Sequence, residues 1–78
     1  MSNFTFPVVD IVKTGINIKY LREQAGMSVK DLQNIMGFTT PQAIYKWQWG
    51  QALPELQNLL LMSALFEVKV EDIIVLAC

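Results

Sequence analysis

The chain contains no histidine and a single cysteine, Cys78. One thiol closes no intrachain disulfide, and one thiol without imidazoles supplies no zinc site. There is also no serine beside a base, no Cys/His pair and no phosphate-cradling glycine loop. An enzyme is therefore not expected, nor is a metal or other cofactor. Charge is scarce as well. Charged residues make up 17% of the chain, with six Lys plus Arg against seven Asp plus Glu and a net charge of −1. A basic surface can then arise only from local placement. The longest apolar run, LLLMSALF at residues 59–66, is far short of the roughly 20 residues that span a bilayer. The opening MSNFTFPVVDIV has neither the basic start nor the small-residue cleavage site of a signal peptide. These absences lead to the expectation of a soluble cytoplasmic domain.

What the chain has is apolar density. Hydrophobic residues make up 53% of its 78 positions, and its mean hydropathy is +0.33. A core this small yields only a few kcal/mol of net stability. Either nearly all of these side chains go inside or some are kept for a partner. There is no repeat and no low-complexity tract. Pro7, Gly15, Gly26, Gly37, Pro41, Gly50 and Pro54 divide the sequence into segments that read as short helices.

The first helix is expected from about Gly15 to Ala25, capped by Thr14, with Ile18, Leu21 and Ala25 on one stripe and Gly26 as its stop. The second starts at Ser28, with Asp31 three residues on in a capping-box arrangement. Leu32, Ile35 and Met36 should face inward, and Gly37 should end it. The third is expected to begin with Thr40 as cap and Pro41 at the first helical position, and to stop at Gly50. A fourth should run from Pro54 or Glu55 to Phe66, and a fifth from Lys69 to Leu76. The expected fold is all-α, a compact five-helix bundle. Asp31, Glu55, Glu71 and Asp72 read as charges at helix starts.

The third helix carries the functional signal. At about 100° per residue, with Gln42 at zero, Lys46 lies near 40°, Trp49 near 340° and Tyr45 near 300°. Ala43, Trp47 and Ile44 fall on the other side. Trp47 and Ile44 are thus expected in the core. The opposite face offers an amide, an ammonium, a phenol and an indole. An exposed Trp beside an exposed Tyr is an uncommon thing to leave without a use.

Two helices joined by a short glycine-containing turn form a helix-turn-helix, whose second helix can lie in the DNA major groove. Gln42 suits a bidentate contact to adenine, and Lys46, one turn on, suits guanine or a phosphate. Thr39 and Thr40 place hydroxyls and backbone N–H groups near the helix start, where a phosphate is favoured.

Residues 17–74 resemble the Xre-like helix-turn-helix repressors, the class of the lambdoid phage repressors. The resemblance rests on Ile18, Leu21 and Arg22, on Gly26 and Ser28, and on Leu32, Met36 and Gly37. It continues through Ile44, Trp47 and Gly50, then Pro54, the leucine-rich fourth helix and the run from Val68 to Ile74. It implies a lambda-repressor-like DNA-binding fold of five helices; the whole of residues 1–78 is expected to form this one domain, with residues 1–13 packed on it. It implies transcription regulation through the third helix, as a homodimer joined through the C-terminal helix, on a near-palindromic operator in double-stranded DNA. It implies that Thr39, Thr40, Gln42 and Lys46 sit where relatives contact DNA, with Tyr45 close by; the full expected DNA-contact set adds Ser28 and Lys30 on the second helix and Trp49 and Gln51 at and after the end of the third.

Several positions depart from the family pattern. Val29 stands where relatives often carry Gln, and Gln33 where they often carry Ala. Trp47-Gln48-Trp49-Gly50 replaces a common Trp-Glu-Arg-Gly, so an indole takes the place of a phosphate-seeking arginine. Lys19, Arg22, Lys30 and Lys46 are the cations left for phosphates. The same features support an alternative, a protein-interaction module on this scaffold, with Leu61, Ala64 and the terminal IIVLAC as apolar surface. Phe4, Phe6, Val8 and Val9 are expected to add to the core, since an arm entering a minor groove would need Arg or Lys.

Overall fold

The computed structural model describes residues 5–77. Five helices follow one another: α1 (Ile11–Gln24), α2 (Val29–Met36), α3 (Gln42–Gln48), α4 (Leu56–Phe66) and α5 (Val70–Ile73). Two short strands, β1 (Val8–Val9) and β2 (Leu76–Ala77), pair antiparallel, with Val8 opposite Ala77 and Val9 opposite Leu76. Ile18, Leu32, Ile44, Trp47, Met62 and Ile73 form the buried core, so every helix contributes to one interior.

α1 begins earlier than its sequence suggests. Asp10 is the N-cap, its carboxylate accepting from the Lys13 N–H at 2.9 Å. Thr14 is instead buried inside the helix and turned to a distant partner. Its hydroxyl accepts from the Val75 N–H at 2.9 Å and donates to the Val75 carbonyl at 3.3 Å. Gly15 is buried mid-helix, because α3 crosses there too closely for a side chain. The buried stripe of α1 runs through Thr14, Ile18 and Arg22, and Ala25 is exposed.

α2 has the capping box in full. The Ser28 hydroxyl accepts from the Asp31 N–H at 3.0 Å, and the Asp31 carboxylate accepts from the Ser28 N–H at 2.9 Å. Leu32 is buried and Met36 half-buried, but Ile35 is 49% exposed. Val29, not Ile35, completes the inward face. Val29, Leu32 and Met36 lie within about 60° of each other on the helix, while Ile35 lies about 90° off their centre.

α3 starts later than expected. Thr40 does not cap it; Pro41 occupies the N-cap with no side-chain cap hydrogen bond. The Pro41 carbonyl accepts from the Tyr45 N–H at 3.1 Å, so residues 39–41 belong to the turn. α4 follows expectation, from Leu56 to Phe66 with Glu55 at the N-cap.

α5 is four residues long, and the chain beyond it is extended rather than helical to Leu76. Two long-range ties explain the early stop. The Asn17 amide donates to the Asp72 and Ile73 carbonyls at 2.8 and 3.0 Å, capping the end of α5. Thr14 then takes the Val75 backbone, and Val75 in turn accepts from the Asp10 N–H at 2.8 Å. The two chain ends therefore meet as β1 and β2. Of the hydrophobes expected to fill the core from the N-terminal side, Val9 is half-buried, while Phe6 and Val8 are exposed. Phe4 and Cys78 lie outside the described residues.

Candidate nucleic-acid interface

The turn between α2 and α3 is held from both sides. Gly37 ends α2 at φ 73°, a left-handed conformation that glycine adopts without strain. The Phe38 N–H donates to the Gln33 carbonyl at 3.1 Å, and the Gln33 amide donates back to the Phe38 carbonyl at 3.3 Å. The Phe38 ring meets Trp47 edge to face, with centroids 5.9 Å apart. Gln33, where relatives often have Ala, is thus a clamp on the turn. α2 and α3 are held in fixed relation through Phe38 and the core residues Leu32, Ile44 and Trp47.

That placement separates the two tryptophans. Trp47 is 4% exposed within the core, and Trp49 is 63% exposed. Trp49 stacks on Tyr45, with centroids 5.3 Å apart and planes 19° from parallel. The rings form one plate beside Lys46. Just past the helix, the Lys46 carbonyl accepts from the Gln51 and Ala52 N–H groups at 2.9 and 3.3 Å. This winds the chain back and sets Gln51 next to the plate. Gln42, Tyr45, Lys46, Trp49 and Gln51 enclose an open groove of about 300 Å³. Among the described residues, no carboxylate lines it.

Thr39 and Thr40 are exposed on a neighbouring hollow of about 320 Å³, shared with Gly37, Phe38 and Ala43. Seven of the nine residues expected to contact DNA therefore border two adjacent depressions around α3. Ser28 and Lys30 are exposed at the start of α2 but border neither. The Ser28 hydroxyl is engaged as the α2 cap. The same pairing holds the Asp31 carboxyl below the ordinary aspartate range: the hydrogen bond from the Ser28 backbone is the larger cause and the Ser28 side chain the smaller.

Arg22 is not available to a phosphate. It is 7% exposed. Its Nε donates to Gln48 Oε1 at 3.0 Å and its Nη1 to the Met27 carbonyl at 2.6 Å. Both partners are neutral. Arg22 thus ties α1 to the end of α3 and to the segment that leads into α2. Its sequence signal was its spacing: it lies four residues after Ile18, on the buried stripe. Lys19, Lys30 and Lys46 remain exposed.

Among the described residues, no three His, Cys, Asp or Glu side chains cluster to hold a metal ion. Among the same residues, no helix is long and apolar enough to cross a membrane.

A comparison with curated protein sequences found no match. Among solved structures, the chain is similar to the restriction-modification controller protein C.AhdI from Aeromonas hydrophila. The identity is 23% and the TM-score 0.71, over 82% of this chain and 96% of that one. It is also similar to the DNA-binding domain of BldD, at 15% identity and a TM-score of 0.69, over 83% of this chain and 93% of that one. These likenesses establish the fold. A family model described as helix-turn-helix matches residues 18–73, from α1 to the end of α5. The chain therefore belongs to the Xre-like, lambda-repressor-like helix-turn-helix family, whose members are DNA-binding regulators.

Proposed function

We propose that this domain is a sequence-specific regulator of transcription that reads double-stranded DNA with α3. The observation that carries this reading is the α3 surface. Gln42, Lys46 and Gln51 share an open, acid-free groove with two stacked rings, and the turn that positions them is held by Gln33 and Phe38. Gln42 makes the bidentate contact to adenine, and Lys46 contacts guanine or a phosphate. Thr39 and Thr40 offer hydroxyls to the backbone at one flank and Lys30 its ammonium at the other, while Ser28 is spent on the α2 cap. C.AhdI is named a controller protein and the BldD fragment a DNA-binding domain, which agrees with this use of the scaffold. The reading assigns the domain no catalytic step and no cofactor, and places it in the cytoplasm with its DNA.

The domain acts as a homodimer on a near-palindromic site, with half-sites about 34 Å apart. Because α5 is only four residues long, the dimer surface includes the extended segment after it as well as the helix. The test is selection from a random duplex pool at low salt, followed by Gln42→Ala. An enriched site is expected, weakened by about 1–3 kcal/mol when the glutamine amide is removed. A pool that shows no enrichment refutes the proposal.

A second reading has one observation in its favour. Leu53, Leu56 and Leu60 are exposed on and just before α4, a surface suited to a protein partner. Sedimentation over a range of concentrations separates the two. A strict monomer that also fails to enrich DNA leaves only the protein-partner reading.

A further inference from the structure

We infer that the stacked Tyr45–Trp49 pair selects DNA sequence by seating thymine C5-methyl groups on the major-groove floor. This inference rests on the DNA-binding reading above. Trp49 is the last residue on the recognition face, and most of its indole is exposed. An indole has one N–H donor and no charge, so it makes a poor phosphate ligand. A surface built only to hold the backbone would carry a cation there. What the two rings offer is a flat apolar plate, fixed by their stacking at 5.3 Å and 19°.

The plate's place along the helix fits a base-edge contact. Trp49 follows Gln42 by seven residues, about 10 Å along the axis. Base pairs are spaced at about 3.4 Å, so the plate lies roughly three pairs from the one that Gln42 reads. Both residues lie on the same side of α3, around one groove. The major-groove edges of the bases carry amines, carbonyls and ring nitrogens, and one apolar group, the thymine methyl. An apolar plate set against those edges therefore finds its apolar match only there. Lys46 lines the same groove, and among the described residues no carboxylate does, so no negative charge there repels the phosphates.

The test uses the full chain and a duplex selected for binding. Thymines two to four pairs from the adenine read by Gln42 are replaced by uracil. Uracil lacks the C5-methyl but keeps the O4 acceptor and the base pairing. Binding is expected to weaken about fourfold for each methyl removed, the equivalent of one buried methylene-sized group. Trp49→Ala and Tyr45→Ala should bind thymine and uracil duplexes alike, while Trp49→Phe should keep part of the preference. Trp49 is exposed and Tyr45 lies outside the buried core, and circular dichroism of each variant checks that the fold is kept. Equal wild-type affinity for both duplexes overturns the inference and leaves the DNA-binding reading intact. So does a Trp49→Ala variant that keeps the preference. Loss of self-association on Trp49→Ala, with unchanged DNA affinity, also overturns it and assigns the rings to a protein interface. If no duplex is enriched at all, it is the DNA-binding reading that fails.

Discussion

Gly15 lies in the middle of α1 where α3 passes. A Cβ at this position would sit 2.0 Å from the Trp47 carbonyl oxygen and 3.1 Å from the Gln48 carbonyl carbon and oxygen. All three are backbone atoms, so no rotamer change relieves the clash. Ordinary contact begins near 3.4 Å, so Gly15→Ala would push α1 and α3 apart by more than an ångström. The seam that opens is the one filled by Ile18, Ile44 and Trp47. Two effects compete. Alanine is a better helix former than glycine by about 1 kcal/mol. Overpacking of a filled interior costs about 1–3 kcal/mol and sometimes more, and a rigid backbone neighbour sets this case at the upper end or above. The expected net loss is about 2–3 kcal/mol, a large part of the roughly 4–12 kcal/mol available to a domain of this length. The thermal midpoint should fall by about 10–20 °C. Circular dichroism melts and urea titrations measure this directly. Gly26→Ala is the control: nothing lies within 4 Å of its would-be Cβ, and its φ is 72°. It should lose only about 1 kcal/mol, the cost of a side chain in a left-handed conformation. Because helix propensity alone favours alanine at position 15, a Gly15→Ala protein that melts at or above the wild-type temperature would refute the close approach of α1 and α3.

Other perturbations read other parts of the fold. Gln48→Ala leaves the buried Arg22 Nε without its partner and should cost about 2–3 kcal/mol. Gln48→Glu should instead stabilise by about 1 kcal/mol near neutral pH and lose that gain below about pH 4, by melts at both pH values. Glu67 ends α4 at φ 57°, so Glu67→Gly should raise stability by about 0.5–1 kcal/mol, the relief of the left-handed conformation less the added entropy of the unfolded chain. The lowered pKa of Asp31 contributes stability above the unfolded aspartate value near 3.9, lost as pH falls through the folded value. Asp31→Asn should therefore flatten the acid limb of urea midpoints plotted against pH. With Arg22 committed internally and Lys19, Lys30 and Lys46 exposed, DNA binding should show a log–log salt slope of about −3 per protomer at most. A much steeper slope would mean that other cations contact the backbone.

How much was legible in the sequence depends on how local each interaction is. α2 could be bounded within a residue because Ser28, Asp31 and Gly37 settle its ends within ten positions. The division of α3 into a buried and an open face was equally local, a matter of angle along seven residues, and Trp47 and Trp49 lie where that angle puts them. The starts and ends that were misplaced are governed from far away. Asp10 and Thr14 are both good caps by type. Only the packing of the C-terminal segment, 61 residues on, engages Thr14 with Val75 and leaves the capping to Asp10. α5 was expected to continue to Leu76, but Asn17, more than 50 residues earlier, caps it at Ile73. Gly15 looked like a helix boundary because glycine usually punctuates. Its actual reason is α3, a helix the local sequence could not bring near.

The same distinction governs the candidate site. Periodicity alone gathers Gln42, Tyr45, Lys46 and Trp49 on one face, but it could not place Gln51, which reaches that groove only because two N–H groups converge on the Lys46 carbonyl. The spacing from Ile18 does put Arg22 on the buried stripe of α1, but it does not supply the partner there. Arg22 and Gln48 are 26 residues apart and meet inside. This contact takes the guanidinium out of reach of a DNA phosphate. Arg22 keeps its charge, since both its partners are neutral; with a net charge of −1 on the chain, the long-range attraction that drives non-specific binding is nonetheless weak. A reader of DNA in that position must draw more of its affinity from short-range contacts with base edges. The groove is composed accordingly, with two amides, one ammonium and an aromatic plate. Low net charge and an exposed tryptophan, which taken one at a time argue against DNA binding, are together consistent with a surface that trades charge for recognition.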